Sequence, residues 1–329
     1  MAIIFAGCDP VDFVPTEGST TTTSAQYAPY LSLGIELDSQ DVVQTYQFDP
    51  QTDFWVSFYL FAEALGTESV VSFRDADGQV LFDIKGVTDD SKQGFELRAY
   101  DGEQMQTLDT GPVDFSTNTL LRFDVHFVID GSDGLIEVYV DRTLYASFSG
   151  DTDLVSSDGV ADILFKPILA NNSGDTTISA VIVADEDTRA MYVTRQLPQS
   201  GSSPNSDWDG GGYSAIDDNV INDSDGIGTQ TIGATHTFPK AGLPSALAGY
   251  DVVAVILSGR MSVGGPSADV KATFYSQATG TVEGERFHAD AELRNRQAIH
   301  HINPATEQPW TFSEADSSHI GVKLVDVSG

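Results

Sequence analysis

The 329 residues carry 49 Asp+Glu against 16 Lys+Arg, a formal net charge of −33. A surface of that sign repels nucleic acid and anionic membranes, which excludes binding by phosphate neutralisation. One cysteine, Cys8, excludes an intrachain disulfide framework, and no apolar run is long enough to insert into a membrane.

The acids are scattered along the chain, a pattern that serves solubility rather than capture of cations. Residues 1–26 open on a short apolar strand, Ile3-Ile4-Phe5, and run into Ser19-Thr20-Thr21-Thr22-Thr23-Ser24. This stretch has no basic n-region, so it does not read as a signal peptide. It is expected to form an N-terminal arm, ordered by contacts outside its own fold.

Residues 27–196 read almost wholly as strand. Phe54, Val56, Phe58 and Leu60 alternate with polar or outward residues, and so do Val80, Phe82 and Ile84, and Phe95, Leu97 and Ala99. Residues 119–150 hold three strands with their turns. Phe123, Val125, Phe127 and Ile129 alternate before Asp130-Gly131-Ser132-Asp133-Gly134, whose residues tolerate positive φ. Ile136, Val138 and Val140 follow, then a turn at Asp141-Arg142 and a strand through Leu144, Ala146 and Phe148. Such a meander needs a second sheet over its apolar face. The Val138-Tyr139-Val140-Asp141 ending resembles the core hairpin of concanavalin A-like (laminin-G-like) jelly rolls. That resemblance implies an all-β sandwich, a fold shared by lectins, glucanases and structural modules, so the activity is not read from it.

Residues 197–212 shift to Gly, Ser, Pro and Asp, the composition of an interdomain linker. Trp208 and Tyr213 at this junction are expected to pack onto the next domain. Residues 213–329 return to strand alternation, at Val253, Val255 and Leu257 and at Val270, Ala272 and Phe274. They read as a second, smaller β-sandwich with one short helix at Thr311–Ser318, where Thr311 and Glu314 have capping-box spacing and Gly321 is the stop signal.

The sequence W-D-G-G-G-Y-S-A-I-D-D at Trp208–Asp218, followed by N-P-A-T-E-Q-P-W-T and G-V-K-L near the C-terminus, resembles a module of tailed-bacteriophage virion proteins. In that family a concanavalin A-like sandwich precedes such a linker and ending. Here Asn303 stands where the pattern has Asp, and the helix is more polar. The resemblance implies a non-catalytic structural protein on the virion exterior, on the tail as fibre or tail tip, or as capsid decoration. It implies as partners a homotrimer of this chain, other virion proteins and a host-surface glycan.

Candidate chemistry is sparse. A lectin reading puts sugar on exposed aromatics, with Trp55, Tyr59, Tyr100 and Tyr139 as candidates. Glu36-Leu37-Asp38-Ser39-Gln40-Asp41 approaches the E-x-D-x-x-E glucanase strand, but its final Glu is missing, so a glycoside hydrolase is the remote alternative and no catalytic residue is assigned. Asp223-Ser224-Asp225-Gly226 and Asn171-Asn172-Ser173-Gly174-Asp175 are incomplete calcium loops. Asp223, Asp225, Asn171 and Asp175 are weak ligands for one structural calcium at most, and no cofactor is expected. His300 and His301, adjacent on a strand, point to opposite faces and cannot share one ion.

Overall fold

The computed structural model describes residues 2–8, 12–15, 22–24, 29, 31, 34–37, 42–62, 66–89, 92–116, 118–167, 176–210, 212–216, 225–264, 267–291 and 294–328. Its regular structure is nearly all strand, and it divides into two compact units, Met1–Val193 and Thr194–Gly329.

The first unit contains β1 (Ile3–Gly7), β2 (Val14–Pro15), β3 (Thr22–Ser24), β4 (Gly34–Leu37), β5 (Val43–Gln44), β6 (Asp53–Ala62), β7 (Ser69–Arg74) and β8 (Val80–Asp89). It continues through β9 (Lys92–Tyr100), β10 (Met105–Thr110), β11 (Thr119–Val128), β12 (Gly134–Val140), β13 (Thr143–Gly150), β14 (Asp162–Phe165) and β15 (Thr176–Ala184). One sheet has the order β13-β12-β11-β6-β15-β4-β3, with β1 beside β15, and the other β10-β9-β8-β7-β14-β5-β2. Every pairing within them is antiparallel. The two sheets make an antiparallel jelly-roll β-sandwich. The alternation read from sequence sets the inward faces, and an aromatic core fills the space between them. Phe58 stacks on Phe123 at 5.0 Å, Phe54 on Phe127 at 5.1 Å, and Phe95 meets Phe123 edge-on at 4.9 Å.

The β12–β13 turn is tight. Asp141 and Arg142 both take positive φ, as a two-residue type I′ hairpin demands. The Asp141 carboxylate accepts the Arg122 N–H at 3.0 Å, tying the turn to β11.

The beginning of the chain departs from the expected arm. β1 pairs with β15, β2 with β5 and β3 with β4, so the described residues of 1–26 belong to the sandwich itself. Phe5 and Phe13 are buried in its core, their rings 5.3 Å apart. Gly7 runs directly beneath Phe13, where a Cβ would come within 2.7 Å of the ring. Apolar burial holds this segment against its own fold.

The second unit contains β16 (Asp209–Gly210), β17 (Ile227–Gly228), β18 (Thr235–Phe238), β19 (Val255–Met261), β20 (Ser267–Ser276), β21 (Gly280–Asp290) and β22 (Arg294–His300). It closes with β23 (Ile302–Asn303), β24 (Gln308–Pro309), α1 (Phe312–Ser317) and β25 (His319–Ser328). A four-stranded sheet, β18-β25-β20-β21, and the β19–β22 ribbon enclose a small core around Val270, Phe274, Phe287, Trp310 and Leu324.

The Gly/Ser/Pro segment expected to be a linker is docked on this unit. Ser206 bridges His236, the Thr237 N–H donates to the Asn205 carbonyl, and the Asn205 amide donates to Thr281 Oγ1 at 2.7 Å. The boundary therefore falls between Val193 and Thr194, ahead of the compositional shift. Trp208 packs on the second core, its indole N–H donating to the Ala234 carbonyl at 3.1 Å. Tyr213 sits in a short 3-10 turn and stays 38% exposed, contrary to the expectation that it packs down.

The residues of the C-terminal motif are structural devices. The Asn303 side chain accepts the Ala305 N–H, and the Trp310 indole donates to the His300 carbonyl. Thr311 and Glu314 form a reciprocal capping box, and the helix ends at Ser318, which is extended. Gly321 lies within β25, where any Cβ would collide with the His236 carbonyl, so it marks a close strand approach rather than the helix stop. Thr311→Ala removes the cap, and a loss of ~1 kcal/mol is expected in urea unfolding of the second unit.

Candidate functional site

The outward faces of the two first-unit sheets differ in their residues and in what covers them. Trp55, Ser57 and Tyr59 of β6, Arg122, Asp124 and His126 of β11, and Glu137 and Tyr139 of β12 share the outer face of the first sheet. Trp55 stacks on His126 at 4.4 Å and lies 6.0 Å from Tyr139. The structure thus brings three of the four aromatic candidates, Trp55, Tyr59 and Tyr139, onto one face.

That face is already covered by the chain's own strap, residues 185–193. Arg189, paired with Asp187, lies over the rings of both Trp55 and Tyr139, at 5.0 and 4.5 Å. Arg122 donates to the Thr188 and Met191 carbonyls at 2.6 and 2.9 Å and is held by Asp124, which is 0% exposed. The hydrogen bonds and charge of Asp124 hold the guanidinium protonated against the cost of burial. Tyr192 receives a hydrogen bond from Arg142 at 2.6 Å. Trp55 is only 9% exposed as a result. These aromatics form a clasp that anchors the strap.

The second sheet is different. Val71, Phe73, Phe82, Ile84, Phe95, Leu97, Ile163 and Phe165 point inward. Alternation therefore puts Ser72 and Arg74 (β7), Asp83 and Lys85 (β8), Glu96, Arg98 and Tyr100 (β9), and Asp162 (β14) on the outer face. The registers Ser72↔Asp83↔Arg98 and Arg74↔Asp162 make them lateral neighbours. Arg98 grips Asp83 through two nitrogens, Nε at 2.8 Å and Nη2 at 2.5 Å, and Nη2 also donates to Ser69 at 3.1 Å. Arg74 Nε donates to Asp162 at 2.6 Å, and Gln44 completes that carboxylate at 3.3 Å. Lys85 and Glu96 pair at 3.2 Å. Asp83 and Asp162 are each 3% exposed, whereas the arginines reach solvent. Hydrogen bonding to Asp83 raises Arg98 above its ordinary value, while burial pushes the Asp162 carboxyl up against the opposing pull of Arg74.

This row of planar, mutually locked polar groups was missed in the sequence. Its signal was the alternation of polar and apolar residues in Ser72-Phe73-Arg74, Asp83-Ile84-Lys85 and Glu96-Leu97-Arg98, which identifies a wet face without showing that the three segments adjoin. Tyr100, the fourth aromatic candidate, stands on this face beside the row, its hydroxyl donating to the Gly102 carbonyl at 2.8 Å.

Among the described residues the other candidates are not brought to a centre. Asp223, Asn171 and Asp175 lie outside the described residues, as do Asp38 and Asp41 of the glucanase-like stretch. Asp225 is exposed, and Glu36 sits on β4 opposite Thr177. Among the described residues no group of three His, Cys, Asp or Glu is placed to hold a metal. His300 ends β22 and is buried, whereas His301 lies in the bend after it and is half-buried.

No family model matches the chain, and no curated protein matches it. Solved structures similar to it include the cellulose-induced protein Cip1, at 14% identity, covering 55% of this chain and 94% of that one, with a TM-score of 0.39. A carbohydrate-binding module, CBM66 from Bacillus subtilis, matches at 9% identity over 54% of this chain and 97% of its own, with a TM-score of 0.35. The galectin LEC-6 of Caenorhabditis elegans matches at 16% identity over 45% and 95%, with a TM-score of 0.34.

Proposed function

We propose that the chain is a non-catalytic glycan-binding protein whose sugar lies on the outer face of the second first-unit sheet. One observation carries the reading: the locked polar row of Arg74–Asp162 and Arg98–Asp83, whose arginines reach solvent, with Tyr100 beside it. Held by buried carboxylates, the Arg74 and Arg98 guanidiniums lose little freedom on binding, and their solvent-reaching edges offer fixed donors to hydroxyls. Tyr100 adds an apolar surface for a sugar ring. A glycan array with the full chain, followed by calorimetry on the best hit, tests it. Arg98→Met should weaken binding at least tenfold, whereas Arg189→Met, on the covered face, should not. Binding indifferent to Arg98→Met would overturn the assignment.

A second reading concerns setting, and the C-terminal motif favours it. The chain then serves as an exterior component of a tailed-phage virion, on the tail or as capsid decoration, assembled as a homotrimer. The motif residues Asn303, Trp310, Thr311 and Gly321 hold a turn, an indole bond, a helix cap and a close strand approach in the second unit, so the motif is part of its fold. Mass-spectrometric detection and copy number in purified particles test this reading, and absence from them would end it.

A further inference from the structure

Five of the six histidines, His236, His288, His300, His301 and His319, fall in the second unit. Three of them hold a ring nitrogen that is buried with no hydrogen-bond partner among the described residues: His236 Nδ1, His300 Nε2 and His319 Nδ1. They sit on β18, β22 and β25. Buried polar atoms are normally satisfied, so three in one small unit call for a reason.

His300 is the most enclosed, 4% exposed. Its ring meets Phe274 edge-on at 4.7 Å, and its own carbonyl accepts the Trp310 indole N–H. Gly284 leaves the room it occupies, since a Cβ there would lie 2.3 Å from the imidazole. The charged groups on the packed elements do not compensate a proton here. Glu283, beside Gly284, is engaged by Lys271 and Lys323, and on β20 Asp269 is engaged by Arg286 and His288. Neighbouring His301 opposes the charge further. Across the strand pair, β19 presents Val255 opposite His300. His319 packs on Tyr275 at 5.4 Å and is disfavoured as a cation by burial and then by Lys240, whose ammonium is bound to the Asp316 carbonyl. His236 stacks on Phe238 at 4.4 Å, where Asp207 and the Trp208 backbone favour its charged form but burial prevails.

We propose that the second unit contains an acid-sensitive latch, in which protonation of His300, joined by His319 and His236, loosens the packing around Phe274 and Trp310. Burial pushes His300 down to about 4, from an unfolded value of 6.5. The neutral folded ring thus gives its full stability above about pH 6.5, and that stability is lost as pH falls toward 4. From pH 7.5 to 5.0, His300 alone lowers the folding equilibrium constant about 30-fold.

The test is urea unfolding of the full chain at both pH values, with pulse proteolysis reporting each unit separately. In the wild type the second unit should lose stability on acidification. His300→Leu should remove the roughly 30-fold share of that loss, and His301→Leu should keep most of it, since burial is the larger cause. An unchanged pH dependence in His300→Leu would overturn the latch. If that variant does not fold, histidine NMR titration of the wild type decides: a native His300 midpoint below 5 supports the proposal, and one near 6.5 overturns it.

Discussion

Arg122→Met should cost the first unit about 3–5 kcal/mol, because it strands the fully buried Asp124 carboxylate without its counter-charge. The substitution also leaves the Thr188 and Met191 carbonyls without their donor. Two consequences are separable. Stability falls in denaturant unfolding, and the strap 185–193 becomes the first site of limited proteolysis. The double variant Arg122→Met, Asp124→Leu should recover part of the loss, since replacing both partners of a buried pair is far milder than removing one. A stability change under 1 kcal/mol in the single variant would show that the strap is held by something other than this arginine.

Phe13→Ala is the second large effect, with an expected loss of about 3–5 kcal/mol. Phe13 is buried between Phe5 and Phe165, and Gly7 presses against it from beneath, so the cavity left behind has rigid walls. Thermal or urea unfolding of the first unit measures the effect directly. If the N-terminal segment instead served a neighbouring subunit, the variant would keep its intrinsic stability and lose only association. Sedimentation alongside unfolding tells the two outcomes apart.

The meander was legible because its information is local. Phe123, Val125 and Phe127 alternate within one short stretch, and they face Phe58, Val56 and Phe54 in the register that alternation demands. The Ile3-Ile4-Phe5 strand was legible too, but its place in the sandwich was not, because its partner β15 lies some 180 residues away and a pairing that distant leaves no mark in a five-residue strand. Residues 197–207 failed for another reason. Gly, Ser and Pro describe a segment without a regular period, but they do not reveal that Asn205 and Asp207 bond to the strand beside them. Trp55, Tyr59 and Tyr139, expected as exposed aromatics, share one outer face but are buried or half-buried there. What periodicity could not show was that a strap from outside their strands would cover it.

That same limit concealed the polar row of Arg74, Asp83, Arg98 and Asp162, whose members come from four strands. Its role as a sugar site is the central claim, and amide NMR with the strongest array glycan tests it most directly. The proposed function requires perturbations on β7, β8, β9 and β14, around Ser72, Asp83, Arg98 and Asp162. Perturbations confined to β6, β11, β12 and the strap, or none at a saturating glycan concentration, would contradict it.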